Sequence, residues 1–135
     1  MGKKNILIID DSLSVRQFIR KILEEENYKV YEAGDGEEGI KVFKESGNID
    51  LVITDIYMPK KSGIEVLIEL KKEYKDLKII ILSDGGEKDF SDENGICEDL
   101  GATYFFKKDW VKDELIELVN RIFIKWFLGS DGVCL

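Results

Sequence analysis

Five short apolar runs, each followed by a stretch with helical spacing, leave this chain few folds to choose from. The runs are 6–9, 30–33, 51–54, 79–82 and 104–106. The first, third and fourth are almost unbroken Ile, Leu and Val, which suits strands covered on both faces of a parallel sheet. The intervening segments, 13–26, 36–44, 63–74, roughly 89–100 and 111–127, carry helical periodicity. In the first of these, Val15, Phe18, Ile19, Ile22 and Leu23 recur along one helix face. Ser12 is placed to cap it, its hydroxyl accepting an orphan backbone N–H. Gly63 opens the third helix shortly after Pro59, the only proline in the chain.

Strand–helix alternation of this kind implies parallel strands joined by right-handed crossovers. The predicted architecture is α/β: a flavodoxin-like, doubly wound (βα)5 three-layer sandwich with sheet order 2-1-3-4-5. A chain of 135 residues has room for one such domain, and its 44% hydrophobic content is enough for a core. The net charge is −8, with lysines interspersed among glutamates and no basic stripe, which argues against nucleic acid as a partner. The first apolar run is too short to span a bilayer and ends in two aspartates, so a soluble, cytoplasmic protein with no membrane partner is expected. Cys97 and Cys134 lack metal-ligand spacing and are read as free thiols. There is no histidine. Any chemistry must run on carboxylates, hydroxyls, lysines and a bound ion.

In an open α/β sheet the functional crevice lies at the carboxyl ends of the strands, beside the switch in strand order. Here the strands end at Asp10-Asp11, Asp55, Ser83 and Lys107-Lys108. Three carboxylates in one crevice repel one another unless a cation sits among them. Oxygen ligands with room for water describe Mg²⁺ better than zinc. Asp10 and Asp11 alone would serve equally well as helix-capping acids. A further aspartate, a hydroxyl and a lysine at the matching strand ends argue against that plain reading.

Four stretches then carry a resemblance: Ile6 to Ser12 with Arg16; Asp55-Ile56-Tyr57-Met58-Pro59-Lys60-Lys61-Ser62-Gly63; Ile80-Ile81-Leu82-Ser83; and Gly101-Ala102-Thr103-Tyr104-Phe105-Phe106-Lys107-Lys108. From residue 4 to about 128 the chain resembles the response-regulator receiver family, in particular stand-alone receivers of the chemotaxis and sporulation-relay kind. The resemblance implies that Asp55 accepts a phosphoryl group from a histidine kinase or histidine phosphotransfer protein. It implies Mg²⁺ held by Asp10, Asp11, Asp55 and the main-chain carbonyl of Tyr57. Lys108 would pair with a phosphoryl oxygen, Ser83 would donate its hydroxyl to another, and Phe105 fits the aromatic switch position. Adjacent strand residues point to opposite faces, so Lys107 and Lys108 cannot both enter the site, and counting from Gly101 favours Lys108. Such a protein is a signalling switch that catalyses only its own phosphorylation and dephosphorylation.

Three departures from the family pattern stand out. Asp84 follows Ser83 where a small residue is usual, adding a carboxylate near the phosphoryl group. The connection from Ser83 to Gly101 is longer than usual and rich in glycine and polar residues. Asp109 replaces a proline that commonly follows a cis bond; before any other residue that bond costs about 3 kcal/mol, so a trans or strained peptide is expected. On the last helix, Val111, Leu115, Leu118, Val119, Ile122 and Trp126 form a core stripe, while Ile116, Phe123, Ile124 and Phe127 form a second apolar set. That second set fits either deep packing or, with the segment at 89–100, a surface for a downstream protein or homodimer. Ser14, Val15 and Phe18 on the first helix form the expected kinase-docking face. The receiver is assigned to 1–128, with 129–135 a short tail and no output domain. Two other functions compete: a receiver-like binding module that is not phosphorylated, and an aspartyl-phosphate hydrolase of the haloacid-dehalogenase type. The hydrolase needs a second acid two residues after a nucleophile on the first strand, where this chain has Ser12.

Overall fold

The computed structural model describes residues 3–83, 103–107 and 112–128, with backbone alone at 83, 103, 105–107 and 125–128. The strands are β1 (Asn5–Ile9), β2 (Lys29–Ala33), β3 (Leu51–Asp55), β4 (Lys78–Ser83) and β5 (Thr103–Lys107). The described helices are α1 (Leu13–Glu25), α2 (Gly36–Ser46), α3 (Gly63–Glu73) and α4 (Lys112–Leu128). All strand pairs are parallel and the sheet order is β2-β1-β3-β4-β5, as the alternating pattern predicts. The segment at 89–100, the tail and both cysteines lie outside the described residues.

Alternation along the central strands divides the core into two layers. Ile6, Ile8, Leu51, Ile53, Ile80 and Leu82 face α1 and α4. Leu7, Ile9, Val52, Ile79 and Ile81 face α2 and α3. All eleven are fully buried, which is why β1, β3 and β4 read as continuous apolar runs rather than alternating ones. Each observed strand extends by at least one polar residue beyond the apolar run, because the ladder of backbone hydrogen bonds does not depend on side-chain polarity.

Local chemistry fixes the helix starts. Ser12 Oγ accepts the Val15 N–H at 3.3 Å, the expected cap of α1. Ser62 and Glu65 form a reciprocal capping box at α3, at 3.2 and 2.8 Å. Asp35 caps α2 through the Glu38 N–H.

Two aromatic side chains differ in depth. Phe18, on the apolar face of α1 and on its expected docking face, is 44% exposed, while Ile19, Ile22 and Leu23 are buried. Phe123 belongs with Leu115, Val119 and Ile122 in the core, its ring 5.5 Å from that of Tyr28. These four positions form one helical stripe, and among the described side chains of the second apolar set Ile124 is 58% exposed. No described helix is long and apolar enough to cross a membrane.

Candidate functional site

The β1–β3 register sets the site. Ile9 pairs with Thr54, so the next residues, Asp10 and Asp55, stand level at the carboxyl ends of adjacent strands. One carboxylate oxygen from each of Asp10, Asp11 and Asp55 lies within 4.8 Å of the others. Asp10 and Asp55 are buried and Asp11 is exposed, so the cluster opens on one side to solvent. Three anionic oxygens at such spacing fit a hard divalent cation that keeps water among its ligands, and the oxygen-only donor set suits Mg²⁺.

Each acid is fixed by its backbone surroundings. Asp10 Oδ1 accepts the Ser12 N–H at 2.8 Å, and the Asp10 N–H donates to the Ala33 carbonyl at 3.1 Å. Asp55 Oδ1 accepts the N–H of Ile56 at 2.9 Å, and that same N–H also lies 3.1 Å from the Leu82 carbonyl, joining the ends of β3 and β4. The buried Thr54 hydroxyl donates to the Asp55 carbonyl at 3.0 Å. The loop after Asp55 returns across it: the Gly63 N–H donates to the Ile56 carbonyl at 2.8 Å. A Cβ at Gly63 would lie 2.2 Å from the Asp55 carbonyl oxygen, so only glycine permits this approach. Within the same loop Lys60 takes a left-handed conformation, φ 71°.

The remaining expected residues are placed less completely. Tyr57 lies two residues beyond Asp55, with its side chain 59% exposed. Ser83 is the last residue of β4, one beyond the partner of Asp55 and in register with Lys107. Phe105 sits in β5 opposite Ile81. Lys108, Asp84 and Asp109 lie outside the described residues.

Sequence reading assigned no role to the polar cluster beside the acids. Arg16 on α1 donates through Nη1 to the Asp10 carbonyl at 2.7 Å and through Nε to Glu32 Oε1 at 2.9 Å. Arg20 donates to the other Glu32 oxygen at 2.7 Å. Burial pushes the Glu32 carboxyl up, but the hydrogen bonds from Arg20 and Arg16 outweigh it and hold the group below its ordinary range. The signal available was helical spacing, which puts Arg16 and Arg20 on one face of α1. Their acceptor comes from β2, and no local pattern announces it.

Comparison with known proteins agrees with this arrangement. A family model described as the response regulator receiver domain matches residues 6–120. Sporulation initiation phosphotransferase F of Bacillus subtilis is 29% identical over 121 residues, covering 90% of this chain and 94% of that protein. The probable transcriptional regulator ycf27 of Porphyridium aerugineum is 39% identical over 122 residues, 90% of this chain but 49% of the relative, so the chain spans about half its length. Among solved structures, a response regulator receiver domain protein from Clostridium thermocellum superimposes with a TM-score of 0.78 at 33% identity, over 93% of this chain and 98% of that one. The response regulator TrrA of Thermotoga maritima, solved in complex with Mg(2+)-BeF, gives 0.75 at 38% identity, over 87% and 97%. With the matched family model spanning most of the sheet and an acidic cluster at the ends of its central strands, this chain belongs to the response regulator receiver domain family of two-component and phosphorelay signalling.

Proposed function

We propose that the protein is a cytoplasmic response regulator that accepts a phosphoryl group on Asp55 from a histidine kinase or a histidine phosphotransfer protein. The observation that carries this reading is the approach of Asp10, Asp11 and Asp55 to within 4.8 Å of one another. The receiver unit is assigned to 1–128, and similarity to sporulation initiation phosphotransferase F supports action by protein contact or phosphorelay.

In the transfer, an Asp55 carboxylate oxygen bonds to phosphorus while the nitrogen–phosphorus bond of the donor phosphohistidine breaks. The imidazole nitrogen leaves with the electron pair. When bound, Mg²⁺ supplies positive charge against the phosphoryl oxygens, and Asp10, Asp11, Asp55 and the Tyr57 carbonyl are the groups to hold it. Asp55 is positioned for attack by the N–H of Ile56, which holds one carboxylate oxygen. Ser83 and Lys108 then engage the phosphoryl oxygens, and Phe105 reports the change to the surface. The kinase docks on α1 around Ser14, Val15 and the exposed Phe18. A downstream protein or second copy docks on the segment between β4 and β5 together with α4.

The test is incubation with acetyl phosphate and Mg²⁺ followed by intact-mass measurement. An acid-stable, base-labile phosphoryl adduct that disappears in Asp55→Ala is expected. Asp84 and Asp109 favour one second reading, a receiver-like module that binds partners without phosphorylation; that reading gains if no adduct forms under any condition. Sustained turnover of small phosphate esters would instead indicate a hydrolase.

A further inference from the structure

We propose that Arg16 is a positioning residue for the acidic cluster, holding the backbone that presents Asp10 and Asp11. The inference rests on the reading that this cluster binds a divalent cation. The turn from β1 into α1 is held at three points. The Asp10 N–H is bound by Ala33 of β2, and the Asp10 carboxylate by the Ser12 N–H. The Asp10 carbonyl is bound by Arg16 Nη1, which reaches back from the helix. Arg16 is itself anchored, since Nε meets Glu32 on β2, whose other oxygen is taken by Arg20. Its side chain is only 18% exposed, so the guanidinium cannot swing freely into water. A rigid planar fork serves two acceptors at once, one just past β1 and one on β2; a lysine ammonium on a flexible stem does not impose that geometry.

Charge and position predict opposite signs here, which makes the idea decidable. A positive charge near three carboxylates weakens cation binding, so a field effect alone would make removal of Arg16 tighten the site. If the residue acts by position, its removal loosens the turn and weakens the site. Groups that orient metal ligands typically contribute about tenfold or more in affinity.

The experiment measures Mn²⁺ binding to the unphosphorylated full chain by the electron paramagnetic resonance of the free ion. Arg16→Gln is expected to raise the dissociation constant about tenfold, and Arg16→Lys to raise it less while keeping the charge. A purely structural role would lower the melting temperature and leave the dissociation constant of the folded protein unchanged. An unchanged or lowered constant in folded Arg16→Gln overturns the proposal. Should that variant fail to fold, Arg16→Lys, which keeps the charge, carries the test: a raised constant supports positioning and an unchanged one refutes it. Equal Mn²⁺ binding by wild type and Asp11→Asn would overturn the metal reading itself, separately from Arg16.

Discussion

Replacing Gly63 by alanine perturbs the site without touching any acidic side chain. The added Cβ would sit 2.2 Å from the Asp55 carbonyl oxygen and 3.1 Å from both the Asp55 carbonyl carbon and Ile56 Cα. All three are backbone atoms, so no flexible side chain can yield. Reaching ordinary contact at 3.4 Å requires the end of β3 and the start of α3 to part by more than an ångström. That movement also strains the hydrogen bond from the Gly63 N–H to the Ile56 carbonyl. Overpacking of this kind costs about 1–3 kcal/mol, and a lost hydrogen bond about 1 kcal/mol more. Alanine recovers up to about 1 kcal/mol of helix propensity, less at a first-turn position. The net expectation is a loss of about 2–3 kcal/mol, or roughly 10 °C in melting temperature for a chain of this size. Urea unfolding with an unchanged m-value measures it, and Mn²⁺ affinity should weaken as Asp55 shifts. Gly47→Ala is the control: nothing lies within 4 Å of its Cβ, and its cost comes from φ 80° alone. A Gly63→Ala protein as stable as wild type would refute the close-approach argument.

Three further outcomes are expected. The Glu32 carboxyl is held below its ordinary 4.5, so its contribution to stability is full above that pH and is lost as pH falls through the folded value; Glu32→Gln should flatten the acid limb of urea-unfolding stability against pH by about 1 kcal/mol, and coincident limbs would contradict this. Ser62→Ala removes one half of the α3 capping box and should cost about 1 kcal/mol by thermal unfolding, with no change arguing that Glu65 alone suffices. Asp84 follows Ser83 in the sequence, and if its carboxylate repels a phosphoryl group on Asp55, Asp84→Ala should speed phosphorylation by acetyl phosphate or lengthen the life of the adduct; equal rates and lifetimes would dismiss a role for Asp84.

The sheet was legible because β1, β3 and β4 are buried on both faces and are therefore written in Ile, Leu and Val without interruption. The edge strands were harder to bound, since Lys29 joins the β2 ladder while its side chain stays exposed. Asp10, Asp11 and Asp55 were legible as strand-end acids once the strand order was inferred. The depth of Phe18 and Phe123 was left open, because a wide apolar stripe on a helix does not say which margin meets the sheet and which meets water. Arg16 and Gly63 stand in the stretches that carry the resemblance, but what they touch was hidden for another reason. Their importance lies in groups that tertiary structure brings to them: a glutamate on β2 for one, and the carbonyl at the end of β3 for the other.

Asp10 and Asp55 are 45 positions apart in the chain and meet only through the pairing of β1 with β3. An unfolded chain holds no such cluster, so a divalent ion bound there binds the native state and leaves the denatured ensemble almost untouched. Mass action then couples ion concentration to folding: at one hundred times its dissociation constant, a ligand adds about 2.7 kcal/mol to stability. Without the ion, the same three carboxylates repel one another across the two central strands, a tension that unfolding relieves. If the cluster binds a divalent ion as proposed, the stability of the sheet becomes a sensor of divalent-ion supply, quite apart from any phosphoryl transfer.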